Sequence, residues 1–298
     1  MAGYLGEIAA ITTAFCWAIT SVFFSYSGRQ LGSVVVNLSR LLFAVIFMLV
    51  THLVLQGSPL PLQAEPFRWG WLGLSGLLGL ALGDGFLFQA FVLIGPRLSS
   101  LMMALVPILS AFLGWVFLGE TITALELAGI VLAVGGIGWV VTERRTGRTQ
   151  VENKRYGLGL LFGLGGALGQ ATGLITAKFG LVDGFSTTSA LLIRMLAATL
   201  VLWGLAALRG RIGMTVRGWQ HRRALWAILA GTISGPFIGV WLSLVSIQLT
   251  RVGIASTLMA LTPLILIPIS YVLLHERIGL RSILGTVLAL VGVALIFM

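Results

Sequence analysis

An aspartate in the middle of an apolar run is the residue of this sequence best placed to do chemistry. Asp84 lies within Leu80-Ala81-Leu82-Gly83-Asp84-Gly85-Phe86, and no other acid sits so deep in such a run. A charge at the centre of a membrane helix costs on the order of 2.5–3.5 kcal/mol on insertion scales, so such residues face a cavity or a partner. Its chemistry would be that of a proton or amine site. The competing reading is a structural hydrogen bond, or an ion pair with Arg40 or Lys178. Phe88 and Phe91 follow at helical spacing on the same face. Trp17 stands with Thr13, Thr20 and Ser21 on one polar, aromatic face of the first apolar run. Gln170, with Thr172 and Thr176 nearby, and Trp241, with Gln248, mark later runs in the same way. Facing aromatic and polar groups suit a small amphiphilic solute. The same groups also serve packing and interhelical hydrogen bonds. Asp84, Trp17, Phe88, Gln170 and Trp241 are the candidate binding or coupling residues.

A second set recurs in matched pairs and reads as architectural or gating. Arg40 and Arg194 each stand about two turns into an apolar run, where they hold helix ends or carboxylates. Glu120 and Glu276 end two further runs, opposing the helix macrodipole and calling for a basic partner or solvent. Pro107 and Pro263 are expected mid-helix, each removing a backbone donor and bending its helix. Gly165, Gly169 and Gly173, and Gly79 with Gly83, form small-xxx-small steps that let helices approach closely. Other chemistries find no support. His52, His221 and His275 lack metal spacing, and no phosphate-binding loop or nucleophile elbow occurs. No catalytic set, metal or cofactor is expected.

The elements that must position these residues follow from composition. The chain has 298 residues, 58% hydrophobic and only 9% charged, with a mean hydropathy of +1.04. Soluble domains carry about 25% charged residues, so this chain cannot cover itself with a wettable surface. That excludes a soluble enzyme, a disordered chain and a disulfide scaffold; the solvent is a lipid bilayer. One cysteine, Cys16, permits no internal disulfide. Since a bilayer core takes about 20 apolar residues per helix, ten spans are expected. They fall near Tyr4–Ser25, Ser33–Leu55, Trp69–Ile94, Leu98–Leu118 and Thr123–Val141, then Tyr156–Phe179, Ser186–Leu208, Ala224–Leu249, Gly253–Leu274 and Leu280–Phe297. The first run has no basic start and no small-residue cleavage pattern, so it is read as a span rather than a cleaved signal. Alternating-strand barrel patterns are missing.

The net charge of +10 invites a nucleic-acid reading, but the basic residues cluster in short connections. Fourteen Lys and Arg fall on one side of a ten-span arrangement and three on the other, leaving Arg40 and Arg194 within spans. The positive-inside rule then places both termini outside the cytoplasm.

Shifting the chain by 156 residues pairs Leu98–Pro107 with Ile254–Pro263. The same shift pairs Gly79 with Gly235, Gly83 with Gly239, Glu120 with Glu276, Gly129 with Gly285 and Gly136 with Gly292. One offset across three spans is an internal repeat. Each repeat holds five helices, and an odd number forces the halves into opposite senses across the membrane. The expected fold is an all-α polytopic membrane protein of ten transmembrane helices, in two inverted five-helix repeats at 1–145 and 155–298. Inverted repeats characterise secondary transporters, with a site near the midplane where the halves meet. Asp84 is matched by Val240, so its role belongs to one half alone.

At this point the sequence resembles the drug/metabolite transporter superfamily, specifically its EamA-like members. The carrying residues are Trp17-Ala18 in helix one, the Met-Ala-Leu-x-Pro of helices four and nine, and Gly119-Glu120 and His275-Glu276 before a short final helix. The resemblance implies that the first four helices of each half enclose a cavity while the fifth packs outside. It further implies a transporter, not an enzyme, sited in the cell (inner) membrane as a monomer or weak dimer. The expected activity is export of small organic metabolites such as amino acids by alternating access, with proton coupling through Asp84 as an option. The alternative is an importer of a choline-like cationic or amine metabolite; a membrane-embedded enzyme would need clustered His, Asp or Ser residues that are not found.

Overall fold

The computed structural model describes residues 4–118, 123–142, 150–249, 258–273 and 279–296. Every regular element among them is helical, and the outward face is apolar: Leu200, Val54, Trp226 and Leu208 are all more than two-thirds exposed. That is the inverse of a soluble surface and is what lipid requires. Among the described residues seven helices are long and apolar enough to span a bilayer, with shorter apolar helices at Thr262–Val272 and Leu280–Ile296.

The first half runs α1 (Leu5–Leu31), α2 (Ser33–Gln56), α3 (Pro66–Ser75), α4 (Asp84–Met102), α5 (Leu105–Leu118) and α6 (Ala124–Val141). The second runs α7 (Gln150–Gly180), α8 (Thr187–Leu208), α9 (Ile212–Gly218), α10 (Arg222–Thr232), α11 (Val240–Leu249), α12 (Thr262–Leu273) and α13 (Leu280–Ile296). Helix α9 is an addition, lying where the sequence suggested only a connection.

Two expected spans are not simple helices. Between α3 and α4 the chain forms a π-helical turn, Gly76–Gly83, and between α10 and α11 another, Ile233–Gly239. The 156-residue shift carries one onto the other. Such wide turns insert one extra residue per hydrogen-bonded ring and leave carbonyls available to side chains. Pro236, inside the second, has no N–H to place in the helical ladder. The third and fourth spans part at Gly95, whose φ of 81° is a left-handed value suited to glycine, with Pro96 next.

The prolines correct one expectation. Pro107 and Pro263 are not mid-helix but lie in the first turns of α5 and α12. The helical path breaks just before each, in turns at Met103–Ala104 and Ala260–Leu261, where N–H groups of Ala104 and Leu261 reach back only three residues. A proline ring collides with the carbonyl four residues earlier, which puts the break upstream of the proline. Glu120 and Glu276 lie outside the described residues.

The helix pairings reveal the symmetry. Helix α1 packs on α10 and α11, and α7 on α3 and α4, which is one pairing exchanged between halves. Helices α2 and α8 pack on each other, as do α6 and α13. At the α6–α13 crossing, a Cβ on Gly129 would lie 2.7 Å from the Gly292 carbonyl oxygen, and one on Gly285 would lie 3.0 Å from that of Gly136. The repeat shift turns the first contact into the second. Low-numbered residues of α6 meet high-numbered ones of α13, so the helices are antiparallel. The operation relating them is therefore a two-fold perpendicular to both, lying in the membrane plane, which is the inverted relation the odd helix count requires.

Candidate functional site

The π-helical turn Gly76–Gly83 creates the site by presenting three carbonyls to side chains from other helices. Asn37 Nδ2 donates to Ala81 O at 3.2 Å, Arg40 Nη2 to Leu80 O at 2.9 Å, and Gln170 Nε2 to Gly79 O at 3.2 Å. Glycine is needed for α7 to come this near: a Cβ on Gly169 would lie 2.6 Å from the Gly83 Cα.

Asp84 follows the turn directly and is the centre of the cluster. Arg40 Nη2 meets its Oδ2 at 2.5 Å, and Gln170 Nε2 donates to its Oδ1 at 2.6 Å. Asp84 is 8% exposed and Arg40 3%. Asn37, one turn before Arg40 on α2, accepts from both Arg40 Nε and Nη2 at 3.1 and 3.0 Å. Arg40 also lies 4.8 Å from the Phe88 ring centroid, a cation–π contact. Phe88 in turn packs edge-on against Phe24 and stacks with Phe91. Arg40 comes from one half and Gln170 from the other, so the carboxylate is gripped across the junction of the halves. Of the two partners the sequence offered for Asp84, Arg40 is the one it meets.

Arg194 joins from α8. Its guanidinium lies beside Gly79 and Gln170, and its backbone oxygen would be only 2.1 Å from a Cβ on Gly76. It lies within reach of the Asp84 charge, though beyond ion-pair distance. Two guanidiniums thus face one carboxylate, Arg40 buried and Arg194 half-buried.

The remaining candidates are elsewhere. Trp17 packs with Ala10, Leu258 and Met259, and its indole Nε1 would be 3.0 Å from a Cβ on Gly239, in the second π-helical turn. Its carbonyl accepts from Ser21 Oγ, which lies 3.2 Å from Ser100 Oγ. Trp241 is 49% exposed and belongs to none of the buried apolar clusters among the described residues. An open recess of about 160 Å³ runs between α2, α4 and α8, from the exposed Arg209 and Arg211 to the buried Asn37 and Ala81. It leads to the side of the cluster.

Asn37 escaped the sequence reading, although its three-residue spacing from Arg40 was a usable signal. The carbonyls could not be anticipated, because nothing in Leu77-Leu78-Gly79-Leu80 distinguishes a π turn from an α turn. Arg68 and Arg97 look like loop residues but are buried. Arg68 is bonded to Glu65 and the carbonyls of Gly180 and Val182, and Arg97 donates to Ser282.

Comparison with known proteins places this geometry. A solved crystal structure superposes over 97% of this chain and 95% of its own, with a TM-score of 0.66 at 17% sequence identity, which establishes the fold. The uncharacterized transporter YoaV of Bacillus subtilis is 29% identical over 134 residues, 44% of this chain and 45% of its own. The threonine/homoserine exporter RhtA of Escherichia coli K12 is 28% identical over 146 residues, 47% of this chain and 46% of its own. The chain thus spans about half the length of the curated relatives it matches. The sequence profile of the EamA-like transporter family matches residues 4–142 and again 157–298. The chain belongs to the EamA-like transporter family, with two copies of the family's unit in one multi-pass membrane protein.

Proposed function

We propose that this chain is a secondary active exporter of small organic metabolites of the amino-acid class, working by alternating access of its two halves, 1–145 and 155–298. The observation that carries the reading is the charged cluster at their junction. Asp84 is held by Arg40 from one half and Gln170 from the other. A rocking motion of one half against the other therefore changes the partners of the one deep carboxylate. Binding energy or a proton delivered to Asp84 is thereby coupled to the conformational change. Amino-acid export by the matched relative RhtA supports the substrate class.

The choline-like importer is the weaker reading. Arg40 and Arg194 outnumber Asp84 at the site, so the local field repels a permanent cation. Trp17, packed from α1 against the second π-helical turn, and Phe88, against Arg40, supply apolar walls. In this reading the protein acts as a monomer or weak dimer in the cell membrane with both termini outside the cytoplasm. A C-terminal reporter active only in the cytoplasm should stay dark, and a bright signal would reverse the orientation.

The functional test is flux of L-threonine and L-homoserine in proteoliposomes. Wild-type protein should exchange at least one, and Asp84→Asn should abolish or uncouple that exchange. Wild-type flux by the Asn variant would remove Asp84 from the mechanism.

A further inference from the structure

Charge balance at the junction is incomplete. The junction holds the buried Arg40 and Asp84 and the half-buried Arg194, and Asp84 is already committed to Arg40 at 2.5 Å. The Nε of Arg194 is buried without a hydrogen-bond partner, and among the described residues no carboxylate stands within ion-pair distance of its guanidinium. A guanidinium has five donors in a rigid planar fork and stays protonated in proteins. Leaving one unpaired away from water is costly, and such ions persist where they pair or line a pathway. Its surroundings supply no acid: a Cβ on Gly79 would lie 3.5 Å from Arg194 Nη2 and 3.6 Å from Gln170 Oε1, and Gly76 packs its backbone against that of Arg194.

We propose that Arg194 receives the carboxylate of the transported solute. This rests on the exporter reading and names the recognition chemistry within it. A carboxylate is the planar, bidentate acceptor that a guanidinium fork fits best. The solute's carboxylate lies on Arg194, and its amino group faces Asp84 and the Gln170 amide oxygen, which is 3.6 Å from the position a Cβ on Gly79 would take. An α-amino acid carries both charges on neighbouring atoms, matching one unpaired guanidinium beside one carboxylate. When it binds, the Arg194 guanidinium gains a counter-charge and the solute's ammonium is offset by Asp84, so each charge in the site is paired while the net charge stays the same. The repeat mate, Arg40, is already paired, its Nε and Nη2 bonded to Asn37, Leu80 O and the Asp84 carboxylate.

The test compares binding of four probes to purified wild-type, Arg194→Gln and Arg194→Lys protein by calorimetry. The probes are L-homoserine, L-homoserine amide, 4-hydroxybutyrate, which lacks the amine, and choline. Melting temperatures establish that each variant is folded. Homoserine should bind wild type at least tenfold more tightly than its amide, the size expected of a lost charge-assisted contact. Arg194→Gln should weaken homoserine at least tenfold yet leave the amide nearly unchanged, and Arg194→Lys should fall between. Equal weakening of acid and amide, or none, overturns the assignment, as does a wild-type protein that binds choline or the amide but no carboxylate. Arg194-dependent binding of 4-hydroxybutyrate without homoserine would keep the assignment and remove the amino-acid reading.

Discussion

The turns Gly76–Gly83 and Ile233–Gly239 occupy equivalent places in the two halves but carry different side chains. At the first, Arg40, Asn37 and Gln170 satisfy the freed carbonyls and Asp84 follows. At the second, hydroxyls on α1 take over. Thr13 donates to Gly239 O at 3.3 Å, Thr20 to Gly231 O at 3.1 Å, and Ser234 donates back to Cys16 O at 2.9 Å. Val240, the mate of Asp84, packs with Met48, Leu192 and Met195. One turn is ionic and the other neutral. The duplicated backbone is thus a scaffold with two openings, and divergence placed the charge in only one. The arginines were duplicated with the scaffold; the carboxylate was not.

Replacing each member of the Asp84/Val240 pair by the same residue breaks the comparison most strongly. Asp84→Leu leaves Arg40 buried without its ion-pair partner, and unfolding in detergent should show a loss of about 3–5 kcal/mol. Val240→Leu adds one methylene at a partly buried apolar position and should cost less than about 1.5 kcal/mol. Equal losses would mean that the two turns are energetically alike.

The α6–α13 crossing is the region where the halves remain alike, and it sharpens the contrast. Gly292→Ala would put a Cβ 2.3 Å from the Ala133 nitrogen, and Gly136→Ala one 2.5 Å from the Ala289 nitrogen. Each should cost about 1–3 kcal/mol by overpacking, and the two losses should be similar because symmetry makes the sites equivalent. A large difference between them would show that the two-fold does not extend to this crossing.

Much of the fold was legible because lipid makes span composition unambiguous and because one offset of 156 aligns Pro107 with Pro263 and Gly129 with Gly285. Local geometry was not. Pro107 signalled a break but not that the break falls at Met103–Ala104, since the clash is with the preceding turn. Neither glycine-rich stretch revealed a π-helical turn. The site was half legible. Asp84, Arg40, Phe88 and Gln170 could be chosen from depth and residue type, and the structure brings them together. Trp241 was chosen for sharing a helix face with Gln248, a spacing that does not say how exposed the face is; Trp241 is half-exposed. Asn37 was passed over because a lone amide near a helix start is common.

The claim that the ionic turn moves solute while the rest of the duplicated scaffold supports it is tested most directly by removing both charges at once. In Arg40→Met/Asp84→Leu protein, neither member of the ion pair is left buried without the other, and apolar replacement of a buried pair is often neutral or stabilising. Unfolding in detergent together with proteoliposome flux of the solute carried by wild type makes one measurement of both properties. The expected result is wild-type or greater stability with flux no higher than in protein-free vesicles. Flux at the wild-type level from the stable double variant would contradict the account.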